Sequence, residues 1–291
     1  MAFRPFQLKP GEGLRGGLIR IVNRIAKKSA TLPDFRTGKA EETIHEARLL
    51  IKLLRAIVGM AGTALGKAAG QRIKTCLRAA ARSLAGPRDA AVLASTLSKL
   101  ARKASGNRRQ ADYILAGEEL DRNLTVTDEA AARRKLAVAS RYLERTTLLF
   151  GRGAERTAPL WPSAAECNCA AARACRKAMK RAFSSGRADD FHDWRKKAKR
   201  FFLQLGVMEN LPGQRRGAAA GLLNKLQSKL GTHHDLVMLE EHLKKNPAFP
   251  NQPDLQWKIL RDIRHQRRDL EKELKPLGKK CRRVCAEWLK T

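Results

Sequence analysis

The stretch TIHEARLLIKLLRAI at residues 43–57 returns, altered but in register, as DFHDWRKKAKRFFLQL at residues 190–205. His45 matches His192, Arg48 matches Arg195 and Lys52 matches Lys199, all at an offset of 147 residues. A second pair of segments follows, LRAAARSLAGPRDAAVL (77–93) and LNKLQSKLGTHHDLVML (223–239), in which Leu84 meets Leu230 and Asp89 meets Asp235 at an offset of 146. Two blocks matched in the same order at nearly one offset mark an internal duplication. The reading is one domain over 1–291 made of two helical halves, 12–150 and 164–289. The Gly/Pro-containing segment GRGAERTAPLWPS (151–163) is the expected linker between them.

Between the breakers the chain is rich in Ala, Leu, Arg and Lys, which favour helix, and it shows no convincing strand pair. The apolar periodicity predicts helices over 14–31, 39–60, 70–85, 87–104, 107–121 and 127–150 in the first half. In the second half it predicts helices over 164–184, 188–209, 213–230, 232–245 and 254–289. The expected fold class is all-α.

At about 100° per residue, His45, Arg48, Lys52 and Arg55 fall within an arc of about 80° on one face of their helix. His192, Arg195, Lys196 and Lys199 form the matching ridge in the second copy, with Trp194, Ala198, Phe201 and Leu205 on the opposite, apolar face. Lys74, Arg78 and Arg82 make a shorter ridge, and Lys225 with Lys229 its weaker counterpart. On the C-terminal helix Lys258, Arg261, His265 and Arg268 repeat the spacing. A Lys/Arg stripe is ordinarily a solvated face, but such faces intersperse acids that gain a few tenths of a kcal/mol at i+4. Acids are scarce on these ridges, and the ridge recurs at matched positions. Histidine on such a ridge is disfavoured as imidazolium until an anion arrives.

Composition points the same way. The chain has 60 Lys+Arg against 28 Asp+Glu, a formal net charge of +32. That excess costs the compact state self-repulsion which a negative partner offsets. At 43% hydrophobic residues the chain is globular and no basic disordered tail. No apolar run approaches the roughly 18 residues of a membrane span, so no membrane partner is expected. The N-terminus lacks the apolar stretch of a secretory signal, which sets the expected compartment as the cytoplasm. The six cysteines (Cys76, Cys167, Cys169, Cys175, Cys281, Cys285) contain no CxxC pair and read as free thiols. Neither a cofactor nor a metal is expected.

H-x-x-R-x-x-x-K at the start of a helix, followed some 40 residues later by a leucine-rich segment with an R-D or H-D pair, resembles the CHAD domain, the conserved histidine α-helical domain. The resemblance covers nearly the whole chain. It implies two four-helix bundles related by a pseudo-twofold axis around a central basic cavity, binding of inorganic polyphosphate, and association with polyphosphate granules. The motif residues it carries over are His45, Arg48, Lys52, His192, Arg195 and Lys199, with the pairs Arg88-Asp89 and His234-Asp235 as the later block. The copies differ elsewhere: Arg55 is met by Phe202, and Arg78 and Arg82 by Asn224 and Ser228, so unequal contributions to an anion site are expected.

Polyphosphate carries about one charge per phosphate and no bases, so a binder needs many fixed Lys/Arg donors and little aromatic surface. Aromatic residues are only 5% of this chain, which argues against base-stacking modules. The alternative is a nucleic-acid-binding protein working through backbone phosphates, and non-specific nucleic-acid binding is expected from charge alone. Inward-facing ridges would admit only a thin chain, whereas a flat exposed ridge would suit duplex DNA. An enzyme is not expected: EKELK (271–275) has the E-x-E-x-K spelling of triphosphate tunnel enzymes but lies in a helical stretch, away from any strand.

Overall fold

The computed structural model describes residues 4–85, 88–103, 113–114, 117, 128–156, 161–211, 216–245 and 253–287. Among them the regular structure is helical throughout. The helices are α1 (Leu14–Ala30), α2 (Ala40–Ala61), α3 (Lys67–Ser83), α4 (Arg88–Lys103), α5 (Glu129–Arg156), α6 (Ala164–Ser185), α7 (Ala188–Val207), α8 (Arg216–Lys245) and α9 (Pro253–Glu287). The helix expected over 107–121 lies outside the described residues, apart from three positions.

The motif helices start where the sequence supplies dipole partners. Glu41 and Glu42 sit in the first turn of α2, and Asp189 and Asp190 in the first turn of α7. Ser163 opens α6 with a capping box: its hydroxyl accepts from the Glu166 N–H at 3.1 Å, and its own N–H donates to the Glu166 carboxylate at 2.7 Å.

In the first half α5 packs on α1, α2 and α3; in the second, α7 packs on α6 and α8, and α9 on α6 and α8. The halves meet where α2 crosses α7. There the Gln204 side-chain amide donates to the Ala56 carbonyl at 2.9 Å, and a Cβ at Gly59 would come within 3.2–3.3 Å of Gln204 and Arg200. One apolar core runs through both halves, from Leu18, Leu50 and Phe150 to Trp194, Phe201 and Leu274. A second cluster joins α4 to the far ends of α8 and α9 through Leu97, Leu239 and Ile263. Beside it Glu240 clamps α9, accepting from Arg267 at 2.5 Å and Arg264 at 3.2 Å.

Two glycine readings are corrected. The expected linker 151–163 begins as helix, because α5 continues to Arg156. Gly153 is small there for packing: a Cβ would approach the Leu65 carbonyl to 3.1 Å, and Arg15 donates to the Ala154 carbonyl at 3.0 Å to hold the extended turn. Likewise the expected helices 213–230 and 232–245 are one, α8, with Gly231 inside it. A Cβ at Gly231 would stand 3.8 Å from Arg195 Nε, an ordinary contact, so the helix passes through this glycine beside the motif arginine without needing it for space.

Trp194 is fully buried and packs edge-on against Phe183 at 5.5 Å, with Phe191 tilted at 6.2 Å. Trp194→Ala is expected to lower unfolding stability by about 3–5 kcal/mol, read by urea denaturation. A loss under about 1 kcal/mol would mean that this part of the core does not hold α7 in place.

Candidate functional site

The core faces of α2 and α7 dictate where the ridges go. Ala47, Leu50, Ile51, Leu54 and Val58 are buried, as are Trp194, Ala198, Phe201 and Leu205. Arg48, Lys52 and Arg55 on α2, and His192, Arg195 and Lys199 on α7, are therefore left half-buried at the margin of that core, while His45 and Lys196 are exposed. Two of the ridge arginines reach main-chain carbonyls of α3 and its C-terminal end. Arg48 donates to the Leu84 carbonyl at the C-terminal end of α3, and Arg55 donates to the Leu77 carbonyl at 3.0 Å.

Two groupings result. In the first, Arg55, Lys67, Lys74, Arg78 and Arg200 line a cleft of about 990 Å³ where α2 and α3 meet α7. All the charged groups among its described lining residues are cations. Burial, and then the neighbouring guanidinium groups of Arg200 and Arg78, depress the Arg55 pKa. The floor is bare backbone: Gly62 and Gly66, at φ 56° and 73°, adopt conformations that favour glycine and leave no side chain in the way.

The second grouping lies toward the start of α7, eight residues or about 12 Å back from Arg200. The rings of His192 and His234 are 4.2 Å apart, centroid to centroid, with 33° between their planes. Nδ1 of His192 is buried with no hydrogen-bond partner among the described residues. Burial first, then His192, Arg195, His233 and Lys196, push His234 down to about 4. His192 is lowered by burial and by Lys196 and Arg195. Further along the ridge, burial and Arg195 lower Lys199, whose ammonium lies 5.3 Å over the Phe202 ring.

Other expected positions are less concentrated. Arg82 and Lys225 are exposed and lie outside the cleft lining. Lys229 pairs with Glu273. Arg261 and His265 lie on the exposed face of α9, where the Arg261 guanidinium covers the Trp257 ring at 5.1 Å. The side chains of Arg88 and Asp89 lie outside the described residues. In EKELK both acids face α8: a Glu271 carboxylate oxygen lies 2.9 Å from His233 Nε2, and Glu273 holds Lys229.

Arg200 and Lys67 were not anticipated. Arg200 extends a visible row, His192, Lys196, Arg200 at i, i+4, i+8, but its counterpart in the repeat is the buried Leu53. Comparison of the two copies therefore hides it. Of the N-terminal cations, Lys28 pairs with Glu46 at 3.0 Å and Arg20 with Glu12 at 2.5 Å.

Burial raises the thiols of Cys167 and Cys175 to about 12 and that of Cys281 to about 11. All three remain protonated at neutral pH. The Cys167 thiol donates to the Met60 carbonyl at 3.3 Å and ties α6 to α2. Among the described residues no group of three or more His, Cys, Asp or Glu is placed to hold a metal ion, and no helix is long and apolar enough to cross a membrane.

The fold and site define an all-helical basic protein whose cationic ridges gather around the junction of two motif helices. The family model for the CHAD domain matches residues 22–244, and the chain belongs to that family. The crystal structure of the CHAD domain from the plant Ricinus communis is similar in fold, with a TM-score of 0.56 at 20% identity, over 91% of this chain and 89% of that one. No curated protein matches the sequence.

The histidine pair sets an acid-side stability limit. His234 titrates at about 4 in the folded protein against roughly 6.5 unfolded, so between those values the unfolded chain binds more protons. Stability from this group is intact above about pH 6.5 and falls as pH drops toward 4. His234→Gln is expected to be more stable than the natural protein at pH 5 and close to it at pH 8, by thermal melting. An equal difference at both values would mean that His234 does not titrate in this way.

Proposed function

We propose that this chain is a non-catalytic binding module for inorganic polyphosphate, taken into the cleft and along the cationic ridge of α7. One arrangement supports it: guanidinium groups from three helices, Arg55, Arg78 and Arg200, meet at a cleft whose described charged lining is wholly cationic. Such a lining grips phosphate oxygens and repels a divalent metal, which favours a binder over a phosphoryl-transfer enzyme. Donors fixed on packed helices need little ordering when the anion arrives. Association with polyphosphate granules in the cytoplasm is part of the same proposal and rests on the family resemblance.

One observation favours a second partner elsewhere on the surface. Trp257 is 59% exposed beneath Arg261, on a face of α9 that also presents Lys258, His265 and Arg268. An exposed ring among cations can stack on an unpaired base, so nucleic acid would engage α9 and leave the cleft to the thinner chain.

The test is competition between long-chain polyphosphate and duplex DNA or RNA at near-physiological salt, with two double variants. Arg78→Gln with Arg200→Gln removes exposed cations of the cleft; Arg141→Gln with Arg145→Gln removes exposed cations of α5 outside it. At about 1.5–3 kcal/mol per charge-assisted contact, the cleft pair should lose about a hundredfold or more in polyphosphate affinity. The α5 pair should lose less than about threefold, the effect of long-range charge alone. Equal losses would mean diffuse attraction, and nucleic acid competing as well per phosphate would move the assignment to a nucleic-acid binder.

A further inference from the structure

Building on the polyphosphate reading, we infer that His192 and His234 are a proton-loading pair: a bound phosphate chain and about one to two protons enter the site together. The observation that carries this is the pairing itself. His192 stands in the second turn of α7 and His234 inside α8, and their centroid separation of 4.2 Å leaves no room for a counter-charge between the rings. Two imidazolium ions at that spacing repel strongly, so without ligand the pair is held neutral. The buried Nδ1 of His192, which has no hydrogen-bond partner among the described residues, is the remaining sign that the arrangement is incomplete.

Among the described residues, the charges that act on the pair are mostly positive. On α7, Arg195 and Lys196 oppose protonation of His192, while Asp189 and Asp193 favour it. Cations hold those acids too: Arg181 of α6 pairs with Asp193 at 2.5 Å and with Asp190 at 2.7 Å, and Arg187 lies 3.7 Å from Asp189. On α8, Glu271 of α9 takes His233 at 2.9 Å, Glu273 of α9 takes Lys229, and Asp235 has interactions of its own. The crossing with α2 lies further along α7, at Ala56 and Gly59, and adds Arg55 beside Arg200. Burial completes the effect, and the depressed pKa values of both rings follow.

A phosphate oxyanion supplies what is missing. It accepts hydrogen bonds from imidazolium and offsets its charge, so the bound-state pKa of each ring rises above the free-state value. Binding then gains up to about tenfold per pH unit for each proton taken up, as pH falls from the bound-state toward the free-state pKa. Below the free-state pKa the gain is complete; above the bound-state pKa it is lost. Lysine and arginine donors are charged throughout this range and contribute no such slope. The site would capture phosphate chains on acidification and release them as pH rises.

The decisive experiment is titration calorimetry of the full chain with long-chain polyphosphate near pH 6.5, in two buffers of different ionisation heat. We expect a net uptake of about one to two protons per protein bound, and affinity rising at least tenfold between pH 8 and pH 6. His192→Gln with His234→Gln should bind with neither uptake nor slope. Binding without proton uptake in the natural protein, or with the same uptake in the double variant, overturns the inference and leaves the polyphosphate reading standing. No binding at any pH overturns that reading, and the inference with it. The two-buffer measurement needs no variant, so the result does not depend on how well the double variant folds.

Discussion

The crossing of α2 over α7 is the constraint on which the rest depends. A bare backbone at Gly59 and the Gln204 amide on the Ala56 carbonyl let the two motif helices approach with their cationic ridges on neighbouring margins. Like charges brought together in this way lose energy, and the loss is met by the apolar faces behind them. Leu50, Leu54, Trp194 and Phe201 are all at or near full burial, and each contributes about 1.5–3 kcal/mol in removal from water. Repulsion among exposed or half-exposed charges is smaller per pair, about the size of a surface ion pair with its sign reversed. The core therefore wins, and the ridges stay where the helices put them.

The distribution of acids follows the same logic. Acids are outnumbered by cations, and several of those seen in ion pairs join separate segments away from the cleft: Glu12 on Arg20, Glu46 on Lys28, Asp190 and Asp193 on Arg181, and Glu240 between Arg264 and Arg267. Each ties one helix to another or to the loop before it. The described charged groups lining the cleft include none of them. A sequence with acids spread evenly over its basic helices would make more ion pairs and a weaker field.

Much of this was legible in the sequence because it is periodic. A 3.6-residue repeat of apolar positions fixes which side of α2 and α7 is buried, and the duplicated H-x-x-R-x-x-x-K pattern marks the helices that meet. What the sequence hid depends on contacts between distant segments. Gly153 and Gly231 look like breaks to any local reading, yet both lie inside helices, and Gly153 is small because the Leu65 carbonyl comes close to it in space. Arg200 was passed over because its counterpart in the repeat, Leu53, is a core residue, and no comparison of copies recovers a site that only one copy supplies. The approach of His192 to His234 is of the same kind: it exists only once α7 has docked on α8.

How the arginines are anchored bears on why the field survives. An arginine fixed by a carboxylate is well placed but neutralised, and binds an added anion only by breaking or sharing its pair. Arg55 donates to the main-chain carbonyl of Leu77 in α3, and one N–H of Arg48 reaches the Leu84 carbonyl. Leu84 stands at the C-terminal end of that helix, where the carbonyl dipoles favour a cation without carrying a full charge. A carbonyl anchor sets the direction of a guanidinium without itself neutralising the charge. Preorganisation and charge are thus obtained together, which carboxylate anchoring does not allow. The depressed pKa of Arg55 reflects that charge held half-buried beside Arg200 and Arg78, a strain that any bound anion would relieve.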